Sequence, residues 1–185
     1  LTPQTYRSDN NYQILIQYNV RNWWDYYSQP LSFDTFHHKG PDKHNGKYFV
    51  YTGNTNYGVQ TMTYFKELNV WILNVYPTTK STFVKYTMYI VDGDVKPRKE
   101  ILRGQPTDTD EQYVLSLYQD GEKDKRTGIY GWYSSVGDKG MAYISDGLFY
   151  IIHPFVTWYE RQTAVAYLYV WDPSSKDPFT LAAGV

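Results

Sequence analysis

The feature that most constrains the fold of this chain is a two-residue alternation of apolar and polar side chains. From Tyr12 to Val20, apolar residues occupy every second position, and Leu15 is the single break in the pattern. This period is that of a β-strand with one buried face, because successive side chains point to opposite faces of a sheet. No comparable helical period is present, and only Arg21 to Ser28 matches one or two helical turns. The pattern predicts an all-β fold with little helix.

Segments of this kind recur about ten times, with turn residues between them. Asp92-Gly93 and Asp146-Gly147 favour tight hairpins, because both dipeptides tolerate the positive φ that such turns need. Pro97 lacks a backbone N–H and places its strand at a sheet edge. Short strands at this spacing are typical of an antiparallel β-sandwich or β-barrel with long loops. The predicted strands cover residues 12–20, 47–52, 58–66, 69–76, 82–91, 95–102, 112–118, 129–135, 141–145, 148–152 and 163–171.

Length, charge and cysteine content narrow the class of protein. The 185 residues contain no linker or internal repeat, which indicates a single domain over residues 1–185. The net charge of -1 argues against a nucleic-acid partner and against an electrostatic membrane anchor. No apolar run approaches the ~20 residues that span a bilayer, so we expect no membrane insertion. Cysteine is absent, which excludes disulfides, thiolate metal sites and cysteine nucleophiles.

Motifs for catalysis and metal binding are weak. His37, His38 and His44 share a loop with Asp34 and Asp42, a set that could ligate a divalent metal, but the spacing matches no zinc signature. We therefore favour a polar loop. The sequence also lacks a nucleophile elbow, a phosphate-binding loop and a complete EF-hand. Our interpretation is that the chain is not an enzyme and uses no cofactor or metal.

Aromatic residues are the most informative feature. The chain holds 21 Tyr and 6 Trp, more rings than one core is expected to bury, so some must lie outside. They cluster at residues 23–27, 130–133 and 167–171, where neighbouring side chains on a strand would face opposite ways. Exposed aromatic patches usually mark a binding surface, although a second layer of the same domain could also cover them. The candidate binding residues are Trp23, Trp24, Tyr26, Tyr27, Trp132 and Tyr133.

Three stretches prompt a comparison with a known family: YQILIQYN at 12–19, YGWYSS at 130–135 and YLYVWDP at 167–173. Together with the absence of Cys, of glycosylation sequons and of an initial Met, they give a chain that resembles the projecting spike domains of small non-enveloped virus capsids. It looks most like an astrovirus capsid spike. The resemblance implies a dimeric, β-rich spike on the virion surface that carries host-receptor contacts and neutralising-antibody epitopes. It transfers no site residue, because no motif aligns residue by residue.

The leading hypothesis is a non-enzymatic viral capsid spike domain that attaches to a host-cell receptor, protein or glycan, by burying exposed aromatic rings. Because the chain begins with Leu1, we expect it to be cut from a longer polypeptide or to be a mature secreted protein. We expect a homodimer, since an open sheet rich in Tyr and Trp can bury an outer face on its own copy. One alternative is a secreted or bacterial carbohydrate-binding module with an aromatic platform. Another is a lipocalin-like barrel that holds an apolar ligand.

Overall fold

The computed structural model of the chain describes residues 11–21, 23–25, 40–41, 43–103, 110–156 and 162–182. Within these residues the chain forms thirteen β-strands and one short 3₁₀ helix at Trp23–Asp25, which confirms the predicted all-β class. The strands are β1 (Tyr12–Gln17), β2 (Gly46–Tyr51), β3 (Val59–Phe65), β4 (Val70–Val75), β5 (Met88–Asp92), β6 (Arg98–Ile101), β7 (Glu111–Leu115), β8 (Glu122–Lys123), β9 (Tyr130–Gly131), β10 (Met141–Ser145), β11 (Leu148–Val156), β12 (Gln162–Trp171) and β13 (Phe179–Leu181).

In the described part of the chain these strands form three larger sheets and one small one. The β1 sheet has the strand order β1-β2-β7-β6, the central sheet β3-β4-β5, and the β12 sheet β10-β11-β12-β13, while β8 pairs with β9. The β2–β7 pair is parallel, unlike the antiparallel pairs around it. The antiparallel arrangement expected from the sequence does not hold for this pair. After β2 the chain forms the central sheet and β6, and it then enters the β1 sheet again as β7, which runs in the same direction as β2.

The central sheet contributes side chains to a core on each of its faces, and consecutive residues of β4 enter two different cores. Ile72 packs with Phe149 and Ile151 of the β12 sheet. Leu73, the next residue, packs with Val50 of the β1 sheet. Since neighbouring side chains on a strand point to opposite faces, the central sheet lies between the other two. The arrangement is layered and sandwich-like, and each fully buried large aliphatic side chain contributes about 1.5–3 kcal/mol to it.

Two local predictions are confirmed. Asp146 and Gly147 have φ values of 50° and 73° and join β10 to β11 as the predicted hairpin. β6 begins at Arg98, directly after Pro97, and lies at an edge of the β1 sheet. In both places a residue with special backbone properties, Gly or Pro, decides the local geometry.

The segment before β5 differs from its prediction. The alternation over 82–91 predicts one long strand, whereas β5 begins only at Met88. The Asn54 side-chain amide donates hydrogen bonds to the carbonyl oxygens of Tyr76 and Tyr86, at 2.8 and 2.9 Å. These bonds use carbonyls that a continuous strand would have paired in a ladder. The turn after β5 then leads to β6 in another sheet, so the hairpin predicted there does not form.

Candidate functional site

An open groove of about 510 Å³ lies between the central sheet and the β1 sheet. It exists because the β1 sheet covers only part of the central sheet. On β4, Leu73 is fully buried by that cover, whereas Trp71 faces the same way and is 39% exposed. Met62 on β3 and Ile16 on β1 also line the groove and are exposed. The groove is therefore an uncovered end of a sheet-on-sheet interface.

Trp71 is held in place by its cross-strand neighbour Tyr64. Their ring centroids are 4.8 Å apart, with an interplanar angle of 38°. The Tyr64 hydroxyl donates a hydrogen bond to Asn69 Oδ1 at 2.8 Å, and Asn69 Nδ2 donates one to Asp94 Oδ1 at 2.6 Å. An aromatic pair of this kind contributes about 0.5–1.5 kcal/mol beyond its buried area, which favours one orientation of the indole. Trp71 thus offers a pre-oriented ring to the groove.

Polar and charged side chains complete the lining of the groove. Gln17, Asp92 and Lys96 all line it. Gln17 Oε1 accepts a hydrogen bond from the Tyr48 hydroxyl at 3.1 Å, and Asp92 Oδ1 accepts one from the Asp94 backbone N–H at 2.9 Å. Because the lining contains one carboxylate and one ammonium group, it has no net charge. A mostly apolar cleft with a few polar groups is the usual composition of a ligand site.

A second exposed aromatic feature, named here the Trp23–Trp24 turn, follows β1 directly. Tyr18 lines the groove, and the chain then runs through Val20 to Trp23 and Trp24, all of which are exposed. The Trp23 backbone N–H donates a hydrogen bond to the Val20 carbonyl at 3.2 Å, which closes the turn. Trp24 is 92% exposed, the highest value among the large apolar side chains described. The exposed apolar residues of the turn therefore follow the groove residue Tyr18 closely in the chain.

The structure places only some of the predicted site residues on the surface. Trp23 and Trp24 are exposed, as binding residues must be. Tyr26 and Tyr27 lie outside the described residues. The groove adds the indole of Trp71 to the candidate site, together with Tyr18 and Tyr48, and the sequence did not single out any of the three as a binding residue.

Trp132 has to be removed from the predicted binding residues. It is 3% exposed and packs in the core shared by the central and β12 sheets, with its ring centroid 6.0 Å from that of Trp171. Its backbone N–H and carbonyl both hydrogen-bond to Met88, at 3.0 and 3.2 Å, and fix it against β5. Tyr133, the next residue, is half-buried against Tyr86, with ring centroids 5.1 Å apart. Both rings are engaged in packing within the domain.

The described part of the chain also bears on metal binding and on membrane spans. No cluster of three or more His, Cys, Asp or Glu side chains is placed there to hold a metal ion. His44 is exposed, whereas His37 and His38 lie outside the described residues. The same part of the chain contains no helix long and apolar enough to cross a bilayer.

No protein-family model matches the chain at a significant level, and neither does any curated protein or solved structure. Its function therefore has to be inferred from the groove and the Trp23–Trp24 turn. Both features expose large aromatic rings and offer contact area to a partner molecule.

Proposed function

We propose that the chain is a non-enzymatic recognition domain, a viral capsid surface spike that attaches to a host-cell receptor and is accessible to antibodies on the virion. The observation that carries this proposal is the 92% exposure of Trp24 beside the exposed Trp23. Two adjacent indoles in water forgo the free energy that burial would give them, and no contact among the described residues compensates for it. Contact with a partner would recover that free energy, because Trp is strongly enriched among the residues that dominate binding.

The viral assignment is supported by the resemblance of the aromatic, cysteine-free sequence to astrovirus capsid spikes. The layered all-β fold is compatible with it. Rigid sheets that present an exposed turn are a common way to position a binding surface, since the sheets fix the geometry and the turn carries the contact residues. Recognition here consists of contact burial around the groove and the Trp23–Trp24 turn.

Replacing both indoles of the turn, by Trp23→Ser with Trp24→Ser, is expected to weaken binding of the purified domain to susceptible cells. The loss should be about tenfold or more, because interface indoles typically contribute about 2 kcal/mol or more. The melting temperature should change by less than about 2 °C, since surface substitutions usually alter stability by under about 0.5 kcal/mol. Flow cytometry with labelled domain measures the first quantity, and circular dichroism during heating measures the second.

Tyr150→Ser is the matched control for this experiment. Tyr150 is a half-exposed aromatic residue on the β12 sheet, so its loss should leave both cell binding and the melting temperature unchanged. Undiminished cell binding by the double variant would show that the turn is not the contact surface. A melting temperature lowered by about 5 °C or more would show that these rings support the fold.

A secreted or bacterial carbohydrate-binding module is the second candidate function, and the half-exposed Trp71 in the groove favours it. Such a module binds isolated polysaccharide, with no requirement for a host cell. Retardation of the domain in polysaccharide-containing native gels, with no binding to any cell type, would support the module over the spike.

The lipocalin-like alternative needs an enclosed ligand space. In the described residues, side chains of two hydrophobic cores fill the space between the sheets, so no observation favours that alternative.

We also propose that the domain is a homodimer, joined through an extension of the β12 sheet. β10 pairs with β11 only as far as Ile151, and β13 pairs with β12 only as far as Tyr169. Beyond Ile152 on β11 and Leu168 on β12, within the described residues, the two strands pair only with each other, through residues 153–156 of β11 and 162–167 of β12. We name this part the β11–β12 ribbon. Isolated two-stranded ribbons are marginally stable in water, and their unpaired edges readily add further strands.

The composition of the β11–β12 ribbon suits a second copy of the chain as its partner. Phe155 and Tyr167 are about half-exposed on one face, and Val156 is exposed on the other. The ribbon positions described contain no Asp, Glu, Lys or Arg. A symmetry-related ribbon can therefore pair along the free edge and cover the apolar faces with no repulsion between like charges.

Light scattering coupled to size exclusion is expected to give twice the chain mass of 21.8 kDa. Val165→Lys places an ammonium group on the ribbon of each copy and is expected to yield monomers, because like charges brought together in an interface repel. Tyr150→Lys adds the same charge to a half-exposed position outside the ribbon and should leave the dimer intact. A monomeric wild-type chain, or a dimer unaffected by both Val165→Lys and Tyr167→Lys, would contradict the proposed interface.

A further inference from the structure

The groove combines a flat aromatic ring with apolar walls. Trp71 is 39% exposed there, and its contact with Tyr64 fixes the plane of the indole. Met62, Val95 and Pro97 supply the neighbouring apolar surface. The volume of about 510 Å³ lies within the range of about 300–1,000 Å³ that small-ligand sites enclose. The groove can therefore hold a flat, partly apolar group against the indole.

The polar side chains of the groove select among such groups. Gln17, Asp92 and Lys96 line it beside the apolar walls. A purely apolar occupant, such as an aliphatic side chain of a protein partner, would cover these polar groups and give them no hydrogen-bond partner. Covering a polar group in that way costs its hydration, which weakens binding. A group with one apolar face and a rim of hydroxyls satisfies both the indole and the polar side chains.

The charges of the groove select among sugars. Asp92 supplies a carboxylate and Lys96 an ammonium group, so the lining is neutral overall. An anionic sugar would be attracted by one of these groups and repelled by the other. The hydroxyls of a neutral sugar can donate to the carboxylate and accept from the ammonium and amide groups. The C–H face of its pyranose ring is apolar and can pack flat on an indole.

We infer that the groove binds a neutral hexopyranose unit of a glycan, stacked on Trp71, with its hydroxyls hydrogen-bonded to Gln17, Asp92 and Lys96. This inference rests on the proposed attachment function and deepens it, because it assigns the receptor to a chemical class, that of neutral glycans. The Trp23–Trp24 turn, which follows the groove residue Tyr18 in the chain, then contacts the part of the receptor that extends beyond the bound sugar.

Saturation-transfer NMR on the full chain tests the inference with the methyl glycosides of glucose, galactose, mannose and N-acetylglucosamine as probes. At least one glycoside is expected to receive saturation at its ring protons, and Trp71→Ala to weaken its binding about tenfold or more. Met62→Arg fills the groove from an exposed position and should give the same loss, even if Trp71→Ala fails to fold. Tyr57→Ala, which removes an exposed aromatic ring that does not line the groove, should leave sugar binding unchanged.

Cell binding separates failure of this inference from failure of the attachment function. Periodate oxidation of cell-surface glycans is expected to abolish binding of the wild-type domain. Equal binding to oxidised and untreated cells, with no saturation of any glycoside, would overturn the inference and leave attachment standing. Glycoside binding with no binding to any cell would support the groove assignment and overturn attachment. Sugar binding that survives both Trp71→Ala and Met62→Arg, or a preference for sialyllactose over lactose, would overturn the inference.

Discussion

Trp132→Ala is expected to lower the free energy of unfolding by about 3–5 kcal/mol, the usual cost of truncating a buried large aromatic side chain. The indole is 3% exposed and contacts the core that includes Met88 and Trp171. Its removal leaves a cavity that the surrounding β-sheets can fill only in part, because the strands on both sides are fixed by their hydrogen-bond ladders. Guanidinium unfolding monitored by circular dichroism measures the change.

Trp24→Ala is the matched control, since it makes the same chemical truncation at a position that is 92% exposed. The free energy of unfolding of this variant should remain within about 0.5 kcal/mol of wild type. A cost below about 1 kcal/mol for Trp132→Ala would mean that the Trp132 ring is not packed in the core. It would then return to the candidate contact residues, and the division between core and surface aromatic residues described above would be wrong.

The alternation of apolar and polar residues predicts strands well where the pattern is clear. β12 spans Gln162–Trp171 against a predicted 163–171, and β3 spans Val59–Phe65 against a predicted 58–66. The hairpin at Asp146-Gly147 likewise follows from the backbone freedom of two residues. These features depend on local chemistry, so the local sequence contains the information that determines them.

The exposure of Trp71 could not be predicted in the same way. β4 (Val70–Val75) is an almost continuous apolar run, which is typical of a strand buried on both faces. Leu73 and Trp71 point to the same face, yet the first is fully buried and the second is not. The difference depends on how far the β1 sheet extends over the central sheet. That extent is a result of tertiary packing, and no residue near Trp71 in the sequence encodes it.

The sequence also could not predict that Trp132 is buried and Trp24 exposed. Each has aromatic neighbours in the sequence, and a local pattern treats the two alike. Trp132 is buried because its backbone pairs with Met88, on a distant part of the chain that belongs to the central sheet. The late start of β5, at Met88 within the predicted strand 82–91, has a similar cause. Asn54, which lies outside that segment, donates a hydrogen bond to the backbone carbonyl of Tyr86. Long-range pairing therefore determines both the burial of Trp132 and the residue at which β5 begins.

Raising the pH above about 10 is expected to destabilise the domain through its buried phenols. Burial raises the pKa of Tyr89 well above its usual value. Burial also raises the pKa of Tyr86, and the nearby carboxylate of Glu122 adds to the rise. In the unfolded chain these phenols ionise near pH 10, whereas in the folded domain they stay protonated.

The sign of the effect follows from proton counting. Below the pKa of the unfolded state, the folded and unfolded chains bind the same number of phenol protons, so these groups make stability independent of pH. Above it the unfolded chain releases protons that the folded chain retains. The free energy of unfolding then falls by about 1.4 kcal/mol per pH unit for each phenol that stays neutral in the folded state.

Tyr89→Phe isolates this contribution, because phenylalanine cannot ionise in either state. Between about pH 10 and about pH 12, the free energy of unfolding falls with pH in both proteins. The slope for Tyr89→Phe should be shallower than the wild-type slope by about 1.4 kcal/mol per pH unit. Guanidinium unfolding at several pH values measures both slopes. Tyr150→Phe, at a half-exposed ring, controls for the loss of a hydroxyl group. Parallel slopes for wild type and Tyr89→Phe would mean that water reaches the Tyr89 phenol in the folded domain. The core between the central and β1 sheets, which holds Tyr89 together with Leu73 and Val50, would then be open to solvent.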